Sequence, residues 1–522
     1  MKIVPKERTI LIMKNNVKAL IVSLVALVSL CACSQKYNEE TDEAIINQLE
    51  IVNRESGVYG NIYLPTEIDG ATVTWKSSNK KVIDAVGDEQ KAPGVVYRQQ
   101  EDTTVKLTAV IDKDGKKTQY VQEVLVKAAP KQLTDDDYQA YLFGHFVGEG
   151  DQWGKTVNGQ KVTNGEQMFF ALADVGQGLH FKDMNGSKKD SYNTLKPVLT
   201  SKIGERGVRD PYICRSPEGD TFYLIATDLS IYTRGGWGRD NAGEATKTGS
   251  HSIILWESHD LVNWTEERQI EVARPNAGMA WAPEMIYCEE TGEYLIFFSS
   301  TILDDVSKGK NAKILERDCV YYTTTRDFHH FGETKKFIPN IKYQDNIKTR
   351  NEKDNDAINN DYRKVIDGSV LKIGDWYYSA CKDGGNNEDG GGIRIQKTQN
   401  LYDAEWEFVQ NLEDVGFKVK GNPASNKYLE GPEWFYLNKT DRKNPDVPEI
   451  GLMADYYADV SGYIPWATTN VEDIKNANNS WRQLQSGTNK DYSWDNQTKR
   501  HGTILRITEE EANRLKEAYP IA

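Results

Sequence analysis

From Gly207 onward, short apolar stretches alternate with polar turns in a recurring order. Gly207–Asp228 (GVRDPYICRSPEGDTFYLIATD) shows the unit. An acid stands before a proline, a short strand is predicted over Tyr212–Cys214, a polar turn over Ser216–Asp220, and an apolar return strand over Phe222–Ala226. The same order follows Ala282-Pro283-Glu284, Asp367-Gly368, Glu430-Gly431-Pro432 and His501-Gly502. The lead residues Asp210, Glu284, Asp367, Glu430 and His501 are 74, 83, 63 and 71 positions apart.

A second series lies between these hairpins: a strand, a polar turn, then an aromatic residue, ending at Trp264, Phe331, Trp406 and Trp481. QMFFALADVGQGLHF, ending at Phe181, precedes the first hairpin. Two interleaved series of five predict an all-β repeat architecture, a five-bladed β-propeller with four strands per blade. Its last blade should be closed by chain from both ends, with Phe169–Phe181 as the N-terminal partner. Five inner strands then bring five polar leads around one axis.

Upstream, Val73–Trp75, Val105–Ile111 and Gln122–Val126 are strand-like, and Asp112–Gly115 is a turn. This stretch resembles the immunoglobulin-like domains found before bacterial secreted glycosidases. Glu39–Glu55 has weak helical character, and Ala128–Asp137 is a linker. The predicted organisation is a targeting segment over 1–32, a small immunoglobulin-like β-sandwich over 38–128, and the propeller over 138–522. The sandwich is expected to act as a spacer, with sugar binding as the alternative.

The N-terminus carries Lys14 and Lys18 before the apolar run Ala19–Leu30, which is short for a bilayer span. Leu30-Cys31-Ala32-Cys33 resembles a bacterial lipoprotein signal, which implies lipidation at Cys33 and a membrane partner through the lipid anchor, at the cell envelope. Met13 is an alternative start. The net charge of −14 argues against nucleic acid, whose phosphates need clustered Lys and Arg. Cys214, Cys288, Cys319 and Cys381 show no C-x-x-C spacing and are expected to be buried blade residues.

Asp210 in VRDPY, Asp367 in VIDGSV and Glu430 in YLEGPEW stand in distinctive settings. In this order and at these blade positions they resemble glycoside hydrolase family 43, over about Tyr141–Thr508. The resemblance implies Asp210 as general base, Asp367 as modulator and orienter of the acid, and Glu430 as general acid of an inverting glycosidase. Such chemistry needs one protonated carboxyl and one ionised carboxylate, about 6.5–9.5 Å apart to admit a water. Glu284 stands where the family usually has Asp, and is expected to contact substrate or to support the carboxylates. His501 in RHGT matches a family motif near the central channel. The resemblance requires no cofactor there and leaves room for a structural calcium or sodium ion; a lone histidine is a weak metal signal.

Trp237, Trp281, Trp434, Tyr456 and Trp494 are candidate walls of a sugar pocket, whereas Trp376 and Trp406 fit core positions. Arg234–Gly249 and Lys342–Arg363 lack strand pattern and are expected to be loops. The expected partner is an oligo- or polysaccharide. α-L-arabinofuranosides lead, with β-D-xylosides and galactofuranosides as alternatives. A catalytically inactive glycan-binding propeller is the reading from another class, and the three carboxylates argue against it.

Overall fold

The computed structural model describes residues 39–149, 156–157, 160–161, 165–186, 196–237, 244–342, 362–384, 392–412, 428–457, 462–473, 480–495 and 499–521. The targeting segment and Cys33 lie outside the described residues.

The N-terminal part opens with a helix, Glu39–Leu49. A four-stranded sheet follows, in the order Glu67–Ile68, Ala71–Ser77, Thr103–Lys113, Lys116–Val126, its first pair antiparallel. Ile83–Asp84 pairs with Val95–Val96. Ala71–Ser77 alternates buried and exposed positions, as a strand with one solvated face must. The tight turn of the predicted hairpin falls at Asp114-Gly115, both in the left-handed region (φ 54° and 80°), which Asp tolerates and Gly adopts freely. This is an immunoglobulin-like β-domain.

The remainder is a five-bladed β-propeller. Blade 1 runs outward through Val208–Arg215, Phe222–Asp228, Ser252–Ser258 and Arg268–Glu271. Blade 2 uses Trp281–Cys288, Glu293–Leu303, Ile314–Thr325 and Lys335–Ile338. Blade 3 uses Val365–Ile373, Trp376–Asp383, Gly392–Thr398 and Glu407–Asn411. Blade 4 uses Leu429–Tyr436, Ile450–Tyr456, Gly462–Thr468 and Arg482–Gln483. Each inner strand packs against the next, and the inner strand of blade 5, Gly502–Thr508, packs against that of blade 1, closing the ring.

Blade 5 corrects one expectation. The strand paired with Gly502–Thr508 is Tyr138–His145, and Phe169–Ala173 is one strand farther out. Tyr138–His145 is buried for most of its length, so it shows neither alternation nor a polar lead from which periodicity could place it. Phe143 anchors this closure, fully buried with its ring against Phe181, Tyr463 and Trp494. Truncating such a residue to alanine costs on the order of 3–5 kcal/mol. After the last strand, Thr508 caps a helix, Glu509–Ala518, through a reciprocal box with Glu511. Glu511 also pairs with Arg215 of blade 1 at 2.6 Å, so the cap ties chain end to ring. The strand-based reading did not include this helix.

The polar turn before the closing aromatic has a common construction. Leu261 N–H donates to Ser258 Oγ, and Phe328 N–H donates to Thr325 Oγ1. Trp264 and Phe331 then bridge back to Ser258 and Thr325. Of the two expected loops, the described part of Arg234–Gly249 holds a short helix, Ala245–Thr248, while Tyr362–Arg363 pairs with Ile341–Lys342. Residues 343–361 lie outside the described residues. The four cysteines carry free thiols; three are buried and Cys214 is half-buried.

Candidate active site

The site grows from one irregularity repeated in four blades. Each inner strand carries a one-residue bulge against its neighbour, between Arg209 and Tyr212, Trp281 and Glu284, Ile366 and Ser369, and Glu430 and Glu433. The first bulge residue takes positive φ: Asp210 (48°), Ala282 (46°), Asp367 (53°) and Gly431 (52°). The second is Pro211, Pro283, Gly368 or Pro432. Proline suits a slot that gives no N–H to the ladder. The bulge turns the strand at the mouth of the ring and aims the flanking side chains at the axis.

This register separates the sequence leads into three levels. Asp210 and Asp367 occupy the first bulge slot. Glu430 stands one residue earlier, level with Arg209, Trp281 and Ile366, and reaches the axis with a longer side chain. Glu284 stands two residues after the slot, level with Glu433. The blade 2 counterpart of Asp210 is therefore Ala282, and Glu284 lies deeper.

At the mouth, Asp210 Oδ2 accepts a hydrogen bond from Thr227 Oγ1 at 3.0 Å, and Oδ1 lies 3.4 Å from His501 Nδ1. Burial pushes this carboxyl up, but the bond and charge of His501 outweigh it and hold Asp210 below its ordinary value. His501 is the converse. Burial lowers it, Asp210 and Asp367 raise it, and it comes to about 9. Its ring packs where a Cβ on Gly431 would stand, 2.4 Å from the imidazole, so glycine alone fits that slot. Asp367 Oδ2 accepts from Gly431 N–H at 3.2 Å, directly beside Glu430. Burial, aided by the Asp210 charge, raises Asp367.

Glu430 Oε1 lies 3.2 Å from Arg500 Nη2, and Arg500 Nε donates to Asp455 Oδ2 at 2.7 Å. Burial, then the charges of Asp367 and Asp455, lift Glu430 to about 7 against the opposing pull of Arg500 and Lys382. A quarter of its side chain (27%) still reaches solvent. The inner strands of blades 1 and 4 thus carry one carboxyl held below its ordinary value, Asp210, and one raised to about 7, Glu430.

Glu284 is 3% exposed and does not contact the open mouth. It shares a hydrogen bond with Glu433 and another with Ser369, and burial and the Glu433 charge raise it well above its ordinary value. Glu433 Oε1 accepts from Thr503 Oγ1 at 2.9 Å and from Ile504 N–H at 3.3 Å. Of the two expectations for Glu284, support below the mouth is the one its burial agrees with.

The aromatic candidates divide. Trp237 is half exposed (52%), donates Nε1–H to Glu149 Oε1 at 2.7 Å, and meets Trp281 edge to face at 6.3 Å. Arg209 lies 5.3 Å from the Trp237 ring. Three expected pocket walls are corrected. Trp434 and Tyr456 are buried in the core of blades 3 and 4, because alternation along their strands turns them away from the axis. Trp494 stacks on Phe181 and donates to Tyr463 O at 2.8 Å within the closure. Trp376 and Trp406 pack into blade cores.

The sequence reading missed the support of this site. Buried Glu166 accepts from Arg209 at 3.0 Å, Ser230 Oγ at 2.7 Å and Ile231 N–H at 2.8 Å, fixing the loop that presents Trp237. Arg500, Asp455 and Lys382 were also missed. For Asp455 and Lys382 the available signal was a charge inside an apolar strand, which burial makes costly unless it is paired. Among the described residues, no group of three or more His, Cys, Asp or Glu is arranged to hold a metal. His501 turns Nδ1 to Asp210.

Residues 136–513 match the family of family-43-related proteins described as "Probable glycosyl hydrolase domain". The chain belongs to this glycosyl hydrolase family. Residues 41–129 match the family described as "Atrophied bacterial Ig domain". The family-43-related chain is 29% identical to an α-L-arabinofuranosidase of Bifidobacterium longum subsp. longum over 441 residues, 77% of this chain and 36% of the relative. It thus spans about a third of that protein's length. Among solved structures, the native arabinanase of Bacillus subtilis aligns at 14% identity over 55% of this chain and 82% of its own, with a TM-score of 0.31. The exo-β-1,3-galactanase of Phanerochaete chrysosporium with β-1,3-galactotriose aligns at 14% over 59% and 54%, with a TM-score of 0.33.

Proposed function

We propose that this glycosyl hydrolase removes α-L-arabinofuranosyl units from the non-reducing ends or side chains of polysaccharides, with inversion at the anomeric carbon. The observation that carries the mechanism is the opposite electrostatic setting of Asp210 and Glu430 at one mouth. Glu430 gives its proton to the leaving glycosidic oxygen as that bond breaks. Asp210 takes a proton from the water that attacks the anomeric carbon from the other side. Asp367 holds the Gly431 amide and, by its charge, keeps the Glu430 proton in place. His501 and Thr227 orient Asp210. Trp237 and Trp281 offer a wall for a sugar face. The arabinofuranosyl assignment is supported by the name of the 29% identical relative. β-D-xylosides, galactofuranosides and galactosides are the competing substrates.

A panel of 4-nitrophenyl glycosides, followed by NMR of the first-formed anomer on arabinan and arabinoxylan fragments, tests this reading. Release of arabinose as the inverted anomer is expected. Activity confined to xylosides or galactosides would replace the substrate, and a retained anomer would replace the mechanism. We also propose that Cys33 is acylated at the cell envelope. Cys33→Ala should then move the protein from the membrane to the soluble fraction, and unchanged fractionation would reject the anchor.

A further inference from the structure

The four bulged blades share a second slot, on the strand next to each inner strand. Thr227 pairs with Arg209, Ser299 with Trp281, Lys382 with Ile366, and Asp455 with Glu430. Each slot reaches across to the next blade. Thr227 Oγ1 accepts the Ala282 N–H at 2.7 Å, Ser299 Oγ accepts the Asp367 N–H at 2.9 Å, and Asp455 accepts from Arg500 Nε at 2.7 Å. At the junction of blades 3 and 4 the connector is Lys382, whose Nζ donates to the carbonyl of Leu429. Among these four connectors it is the cation.

A hydroxyl joins two of the junctions, so joining blades does not require an ammonium. Lys382 is 5% exposed, and a buried ammonium is costly unless its charge is used. Its junction leads straight into Glu430. Its ammonium also lies 5.3 Å from the ring of Tyr457, which is exposed at the mouth.

We propose that Lys382 is a positioning residue for Glu430: it fixes the carbonyl of the preceding residue and holds a buried positive charge against the carboxyl. This inference rests on Glu430 being the general acid. The charged and titratable groups around Glu430 are Asp367 from blade 3, Asp455 from blade 4, Arg500 before blade 5, Tyr457 and Lys382 itself. Lys382 is faced by Glu430, Lys364, Asp367 and Asp383, the last of which is paired with Arg363 at 3.2 Å. Burial lowers Lys382 to about 8, with Glu430 as the largest charge opposing that fall. Lys382 and Asp367 therefore act on Glu430 with opposite sign. The aspartate keeps the proton on, and the lysine limits how tightly it is kept.

The test is the pH dependence of kcat/KM on a substrate with a poor leaving group, for Lys382→Gln and Lys382→Arg. Glutamine can still donate to the Leu429 carbonyl but carries no charge. The alkaline limb should move up by about one unit in Lys382→Gln, because an opposite charge near the acid is gone. It should stay within about 0.3 units of wild type in Lys382→Arg, which keeps the cation. A merely structural lysine would alter the unfolding midpoint and leave the limb in place. An unmoved or lowered limb in Lys382→Gln overturns the proposal, and so does a limb that vanishes, which would be the titration of Lys382 itself. If Lys382→Gln does not fold, Lys382→Met is read by the same criterion. Glu430→Gln separates the two ideas. If its loss is the same for good and poor leaving groups, the role of Glu430 has failed; if that dependence holds and the limb is unmoved, the inference on Lys382 alone has failed.

Discussion

Two carboxyls three residues apart on one strand, Glu430 and Glu433, are both raised to about 7, yet they sit in different worlds. Glu430 stands before the bulge, keeps 27% of its side chain exposed, and is flanked by Asp367, Asp455, Arg500 and Lys382. Glu433 stands after the bulge, is 2% exposed, and is raised by burial, with Thr503, Ile504 and Glu284 as partners. The bulge turns one residue toward the mouth and the other into the floor. A raised carboxyl is therefore no sign of an acid catalyst by itself; access to a leaving group and a neighbouring base decide.

The largest expected effect is at the base. Asp210→Asn should lower kcat by about 10³-fold or more on good and poor leaving groups alike, since the attacking water must be activated in both cases. Steady-state kinetics on both substrate kinds checks this, and a loss confined to poor leaving groups would reverse the assignments of Asp210 and Glu430.

Asp367→Asn sharpens the comparison from the side of charge. The acid must be protonated, so activity falls as pH rises through the Glu430 value near 7. Removing the Asp367 charge should move that alkaline limb down by about one unit, opposite to the shift expected for Lys382→Gln. An upward shift would contradict the like-charge account.

Glu433→Gln should change kcat by less than about threefold. Its effect belongs to stability. A carboxyl whose folded value is raised binds its proton more tightly in the folded state, so stability is fully present below about 4.5 and declines as pH climbs through about 7. Glu433→Gln should flatten that decline, as read from unfolding midpoints between pH 5 and 8. A large fall in kcat with an unchanged midpoint would place Glu433 in the reaction and break the distinction between mouth and floor.

Much of the ring was legible because each blade begins with a polar residue beside proline or glycine and continues as an apolar hairpin. The order of Asp210, Asp367 and Glu430 was legible for the same reason. Their levels were not, because a one-residue bulge changes which side chains face the axis without changing composition. That is why Glu284 read as a lead yet lies in the floor, and why Trp434 and Tyr456 read as pocket walls yet fill the core. The closing strand Tyr138–His145 was hidden by its continuous burial. The supporting charges Glu166, Lys382 and Asp455 come from second strands or a connecting segment, and their partners are tens of residues away in sequence, beyond the reach of local motifs.

The account turns on Glu430 as the proton donor, and the leaving-group dependence of Glu430→Gln tests this most directly. Turnover of arabinofuranosides with poor, alkyl-like leaving groups should fall by about 10²–10⁴-fold, while that of activated aryl arabinofuranosides, which need little protonation, should fall far less. Equal losses on both kinds would contradict the account.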